Sequence, residues 1–268
     1  MNSNPSLSNS SRFEGCTLTG ALSVLTEVRD AVCIIHGPSG CTHHNFSLLH
    51  ATHLSNDRLE VPRLLTTRLT ENDIIFGGEE ALERAIARAI SLSPAPASIF
   101  VLSTCIVETI GDDVAAVCAR DWGIPVIAVP TAGFLGGVFE TGIRNALSAV
   151  ASLARPATEK TLSANLIGEK NLEYDVDENA AEIERLLSRL GIAVNLRFVR
   201  EIRTDDVGCL NSAAVNILRE PSLRPVGEDF KRRFSIPYVD SFPVGLAGTC
   251  RFIEEIGRIC GIDATAAV

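Results

Sequence analysis

The sequence is poor in the features that would settle a function at once. No apolar window is long enough to span a bilayer. The start, MNSNPSLSNSSRF, is polar and lacks the apolar centre of a secretion signal. Basic charge is also scarce: 24 Lys and Arg against 33 Asp and Glu leave a net charge of −9. That balance argues against nucleic acid held by a basic surface and against a polybasic membrane contact. The expectation is a soluble, cytoplasmic protein with reduced thiols.

Several catalytic signatures are missing as well. There is no Gly-x-x-x-x-Gly-Lys-Ser/Thr loop, so the chain is not expected to hydrolyse ATP itself. Gly-x-Gly-x-x-Gly is absent, which removes the usual cradle for a dinucleotide. Gly-x-Ser-x-Gly is absent too. No Cys-x-x-Cys occurs among the eight cysteines. Asp112-Asp113 and Asp205-Asp206 are adjacent residues, which on a helix point different ways and do not make a catalytic carboxylate pair.

What is present is an alternation of strand and helix signals. Of the 268 residues, 46% are hydrophobic, ample for one large or two ordinary domains. The runs AVCIIH (31–36), SIFVLSTC (98–105) and PVIAVP (125–130) read as strands of a parallel sheet. DIIF (73–76) reads as a further short strand before a Gly-Gly turn. Helices are expected at 79–90, with Leu82, Ile86 and Ile90 on one face, at 107–121 and at 138–154. Residues 57–70 read as a connection. After a polar stretch near 155–164 the pattern resumes, with strands at ANLIG, AVNLRFV, AAVNILRE and SIPYVD and helices at 176–190 and 249–260. The chain therefore divides into an N-terminal arm (1–12), a first α/β domain (13–160) and a second (161–268).

The densest chemistry lies in Ile34–His53, which holds all five histidines and Cys41. Cys16, Cys41 and Cys105 all fall where elements end and loops begin. In a parallel sheet the C-terminal strand ends share one edge, so such thiols converge, as an iron–sulfur cluster needs. Spacing alone leaves scattered structural cysteines as the commoner explanation. Cys33 and Cys118 read as core, and Cys209, Cys250 and Cys260 as structural. A zinc site from His43, His44, His50 and Cys41 has no standard spacing behind it. A turn or hydrogen-bond role suits His36. His43 and His44 are either solvent-facing helix residues or proton donors beside a cluster.

EGCTLTGA (14–21), HGPSGC (36–41), DIIFGGEEALERAI (73–86), STCIVETIGDD (103–113) and VPTAGF (129–134) together resemble the nitrogenase component 1 family, in order and spacing. The resemblance implies tandem Rossmann-like parallel-sheet domains, two of the family's usual three. It implies that Cys16, Cys41 and Cys105 bind a 4Fe-4S cluster. It also implies a homodimer served by a separate homodimeric P-loop ATPase reductase with its own iron–sulfur cluster. The segment VNILRE ends in Glu220 where nitrogenase α subunits have a cofactor cysteine, which argues against a nitrogenase active site. CTHHNFSLLHAT most resembles the branch that reduces a nickel tetrapyrrole, Ni-sirohydrochlorin a,c-diamide, with lactam closure in coenzyme F(430) biosynthesis. There His43 and His44 would be the proton donors. A scaffold for metallocofactor assembly and a non-catalytic binding protein are the alternatives.

Overall fold

The computed structural model describes residues 15–156 and 159–265; the arm expected at 1–12 lies outside them. The chain forms two compact units that meet in sequence at Ala149/Val150.

The first unit runs α1 (Thr17–Leu25), β1 (Ala31–His36), α2 (Ser39–Ser55), β2 (Leu64–Thr66), α3 (Glu71–Phe76), α4 (Glu79–Ile90), β3 (Ser98–Ser103), α5 (Cys105–Ile110), α6 (Val114–Cys118), β4 (Val126–Pro130) and α7 (Phe139–Val150). Its sheet has the order β2-β1-β3-β4, all parallel. Every residue of β1 and β3 is buried, as central strands covered on both faces require. Val32, Ile34, Ile99 and Val101 meet Leu82 and Ile86 of α4 and Val117 of α6 in one core. All nine residues of α1 are buried. It passes α7 backbone to backbone: a Cβ on Gly142 would sit 1.9 Å from the Thr17 carbonyl oxygen, and one on Gly20 2.0 Å from that of Phe139. Only glycine permits that approach.

The second unit runs β5 (Ser163–Ile167), α8 (Val176–Ser188), β6 (Ala193–Phe198), β7 (Val215–Leu218), α9 (Arg224–Phe234), β8 (Tyr238–Val239) and α10 (Gly245–Cys260). Its parallel sheet has the order β6-β5-β7-β8, which repeats the pattern of the first. Its core joins Leu166, Val215 and Ile217 to Ile183 and Leu187 of α8 and to Phe252 and Ile256 of α10. Each sheet thus has its order reversal between its first and third strands, β1/β3 and β5/β7.

Several expected elements differ. The strand expected at 73–76 is the helix α3. Thr70 caps it reciprocally: its hydroxyl accepts from the Asp73 amide, and the Asp73 carboxylate accepts from the Thr70 amide. Ile75 and Phe76 are exposed there, so the apolar run meets no core that could use it as a strand. The connection 57–70 contains β2, an edge strand of three half-buried residues. The single helix expected at 107–121 is two, because Gly111 takes the left-handed conformation (φ 80°) that ends α5. Asp112 and Asp113 lie in the break rather than on a helix. The helix expected from 249 starts at Gly245. α9 was not expected, although it has Pro225 in its first turn and Lys231, Arg232 and Arg233 in its last, both ordinary helix-end signals.

Candidate functional site

β1 and β3 are neighbours in register, with His36 opposite Ser103 at their C-terminal ends. The next residues are stitched together: the Thr104 amide and hydroxyl both donate to the His36 carbonyl, at 3.1 and 2.9 Å. Past this stitch each strand turns into a helix. Cys41 is the third residue of α2, and Cys105 is the first of α5. Asn45 donates to the Cys41 carbonyl at 2.8 Å. Cys16 is the N-cap of α1, and its thiol lies 3.6 Å from the Thr19 hydroxyl. The loop that follows β4 lies against the same helix start: a Cβ on Gly137 would come within 2.6 Å of the Thr17 hydroxyl.

Three cysteines from distant parts of the chain thus sit at helix starts, Cys41 and Cys105 just past neighbouring strand ends, with Cys16 and Cys105 close enough for their charge to act on Cys41. Burial pushes the Cys41 thiol above its ordinary range, and negative charge on Cys16 and Cys105 pushes it further the same way. All three are free, with Cys16 exposed and Cys41 and Cys105 half-buried. Mutual repulsion among thiolates is what a cationic centre relieves. The thiol chemistry thus fits an iron–sulfur cluster, in which separate irons meet separate thiolates. Among the described residues no three His, Cys, Asp or Glu side chains are placed to hold a single metal ion.

The histidines scatter. His43 and His44 are exposed on α2, two and three residues past Cys41. His50 is half-buried and stacks on Phe46 with ring centroids 5.7 Å apart. His53 is buried at the far end of α2, with Nδ1 3.1 Å from the Glu60 carbonyl. Cys33 and Cys118 are buried in the core, where burial pushes both thiols up to about 12. Cys209 is exposed, while Cys250 and Cys260 are half-buried.

The group that sequence reasoning underrated is His36. Its side chain is fully buried, and Nε2 lies 3.1 Å from the carboxylate of Asp112, itself 3% exposed. Its Nδ1 lies 3.1 Å from the Thr67 hydroxyl, which accepts from the Gly37 amide at 2.9 Å. Both Asp112 oxygens accept from the Gly78 amide, at 3.0 and 3.1 Å. Burial lowers the His36 pKa, opposed by Asp112, so the ring is neutral. Nε2–H then donates to Asp112, and Nδ1 accepts from Thr67. The sequence carries no signal of a pair 76 residues apart.

The corresponding edge of the second sheet carries charge instead of thiols. Arg197 grips the Glu169 carboxylate with two hydrogen bonds, at 2.9 and 2.7 Å, and reaches Asp177 at 2.8 Å. Glu220 lies 3.7 Å from Lys170 and accepts from the Ser222 hydroxyl at 2.9 Å. The Arg219 guanidinium lies 4.2 Å over the Phe242 ring. A cleft between β5, β7 and α8 encloses about 20 Å³, room for roughly one water.

A family model for nitrogenase component 1 type oxidoreductases matches residues 16–268. The chain is 30% identical over 254 residues to the nitrogenase iron-molybdenum cofactor biosynthesis protein NifE of Rippkaea orientalis, covering 92% of this chain and 53% of that protein. It is 32% identical over 262 residues to the NifE of Clostridium pasteurianum, covering 96% and 56%. The nitrogenase molybdenum-iron protein alpha chain of Methanothermobacter thermautotrophicus is 26% identical over 94% of this chain and 57% of its own. A solved structure of nitrogenase Cp1 at pH 6.5 superposes with a TM-score of 0.73 at 26% identity, over 96% of this chain and 50% of that one. The chain spans about half the length of the curated relatives it matches. It belongs to the nitrogenase component 1 type oxidoreductase family.

Proposed function

Within this family, we propose that the chain is the cluster-holding component of a two-component system, with Cys16, Cys41 and Cys105 as ligands to a 4Fe-4S cluster. The placing of Cys41 and Cys105 just past neighbouring strand ends, with Cys16 near enough for its charge to act on Cys41, supports the reading. Such a cluster supplies one-electron acceptance and release. The chain's residues supply the rest. Gly37 and Thr104 fix the two strand ends, and Asn45 holds the Cys41 carbonyl. The buried β1 and β3 keep water from the inner side of the site. A fourth ligand would come from a second copy of the chain, and electrons from a separate P-loop ATPase reductase.

Two uses of that centre have support. Assembly of a nitrogenase-type metallocofactor is favoured by the cofactor-biosynthesis relatives, at 30 and 32% identity. Reduction of Ni-sirohydrochlorin a,c-diamide with lactam closure is the second, and its support is the His-rich start of α2. His43 and His44 are exposed there, two and three residues past Cys41, and could exchange protons with solvent.

Anoxic reconstitution with iron and sulfide, followed by iron analysis and EPR, tests the centre. Wild type is expected to hold a reducible cluster, and Cys41→Ala and Cys105→Ala to lose it while Cys209→Ala keeps it. A wild type without iron overturns the proposal, and a Cys105→Ala variant with the wild-type signal removes that residue from the ligand set. Visible-spectrum titration then separates the two uses. The cyclase binds the nickel tetrapyrrole and converts it with reductase and ATP, whereas the assembly protein leaves it unchanged.

A further inference from the structure

We infer that the buried His36–Asp112 pair is a positioning clasp that fixes the Cys41 loop against the Cys105 loop, and through them the geometry of the cluster; this rests on the reading of those cysteines as ligands. Five stretches of chain meet at the pair. His36 ends β1 and leads through Gly37 to Cys41. Its carbonyl takes both donors of Thr104, the neighbour of Cys105. Its ring reaches Thr67 beyond β2 and Asp112 in the break between α5 and α6. Asp112 in turn holds the Gly78 amide at the start of α4.

The donors and acceptors are matched, with the Gly37 carbonyl, 3.4 Å from the Thr67 hydroxyl, as the more distant alternative acceptor. Asp112 accepts from the imidazole and from Gly78. The imidazole accepts from the Thr67 hydroxyl, and that oxygen accepts from Gly37. Buried networks of this kind are rigid when complete and costly when one member is removed. The packing leaves no slack either. A Cβ on Gly78 would meet the Asp112 carboxylate at 2.7 Å, a Leu69 methyl at 2.8 Å and the His36 ring at 3.0 Å. A structural pair alone would stabilise the sheet anywhere. This one is tied by backbone hydrogen bonds to the loops that carry two of the three thiols, so its loss should be read at the thiols.

Asp112→Ala removes the clasp. Asp113→Ala is the control: Asp113 caps α6 by accepting from the Ala116 amide and makes no bond to His36. In the cluster-free chain, alkylation of Cys41 and Cys105, followed by mass spectrometry, is expected to quicken about tenfold in Asp112→Ala, with no change in Asp113→Ala. That factor is what losing one buried hydrogen bond does to local opening. After reconstitution, Asp112→Ala should give shifted EPR g values or a shifted midpoint potential, and Asp112→Asn, which can still accept from Gly78, should fall between it and wild type. If Asp112→Ala does not fold, Thr67→Val cuts the other side of the ring and should quicken the same two thiols. Unchanged alkylation and an unchanged cluster signal in the folded variant overturn the clasp alone. A wild type that takes up no iron overturns the ligand reading itself.

Discussion

The two sheets have the same strand order and opposite edge chemistry. At the C-terminal ends of β1 and β3 the first unit places free thiols, glycine turns and a buried neutral imidazole. At the corresponding ends of β5 and β7 the second unit places Glu169, paired with Arg197, and Lys170, paired with Glu220 and Glu173, with Arg219 over the Phe242 ring. One edge carries free thiols, and the other carries paired charges. Architecture therefore does not distribute the function; the side chains at the strand ends do. The same contrast holds in packing. The first unit brings backbone against backbone at α1 and α7, whereas the glycine of the second unit's α9 faces side chains.

That packing contrast predicts the largest effect. Alanine at Gly142 puts a methyl 1.9 Å from the Thr17 carbonyl oxygen and 2.7 Å from the Ala21 amide, neither of which can swing away. The expected loss is at least ~3 kcal/mol, the upper end for overpacking, measured by denaturant unfolding. Gly227→Ala meets the Tyr238 ring at 2.8 Å and a Leu218 methyl at 3.0 Å. Side chains can give, and alanine returns about 1 kcal/mol of helix propensity, so the expected net loss is about 1 kcal/mol or less. Equal losses would remove the contrast between rigid and yielding packing.

The charged edge predicts the next effect. Arg197→Met strips the Glu169 carboxylate, 8% exposed, of its bidentate partner. An unpaired buried carboxylate is the costly product, and about 3 kcal/mol is expected to be lost. Replacing both partners, Glu169→Gln with Arg197→Met, should recover most of it. If the double variant is no better than the single, the second edge is held by something other than its own charges.

The fold was largely legible because central parallel strands are apolar throughout. AVCIIH, SIFVLS, PVIAVP, ANLIG and AVNLRFV needed only hydrophobic runs and turn residues to be found. The same signal misled at DIIF, where the apolar run is an exposed capped helix. It also ran past Gly111, because glycine's left-handed turn competes with a pattern that still looks helical. The positions of Cys41 and Cys105 just past strand ends, and of Cys16 just before a helix, were legible from the apolar pattern. The His36–Asp112 pair was not, since a buried polar pair shows no periodicity and its members lie 76 residues apart. The charged edge was equally hidden: Glu169, Arg197 and Asp177 are ordinary surface residue types until the fold joins them.

The smallest effect separates the edges by pH. His36 has its pKa lowered from 6.5 by burial, with the Asp112, Asp73 and Glu79 charges working the other way. The unfolded chain therefore takes up a proton below 6.5 that the folded chain refuses. The stability from keeping the ring neutral is whole above 6.5 and declines as pH falls towards the folded value. The slope is at most about 1.4 kcal/mol per pH unit for one proton. At the second edge, burial raises the Asp177 pKa, but hydrogen bonds from Arg200 and Arg197 outweigh it and hold the pKa below the usual 3.8. That group's contribution is whole above 3.8 and is lost only as pH falls further. Between pH 7 and 5, thermal melting of the wild type should therefore fall through His36, and His36→Gln should melt lower at pH 7 but fall less steeply. Asp177→Asn should keep the wild-type slope across the same window, because the Asp177 carboxylate stays charged throughout it. If His36→Gln retains the full wild-type slope, the neutral imidazole is not what makes the first edge the acid-sensitive one.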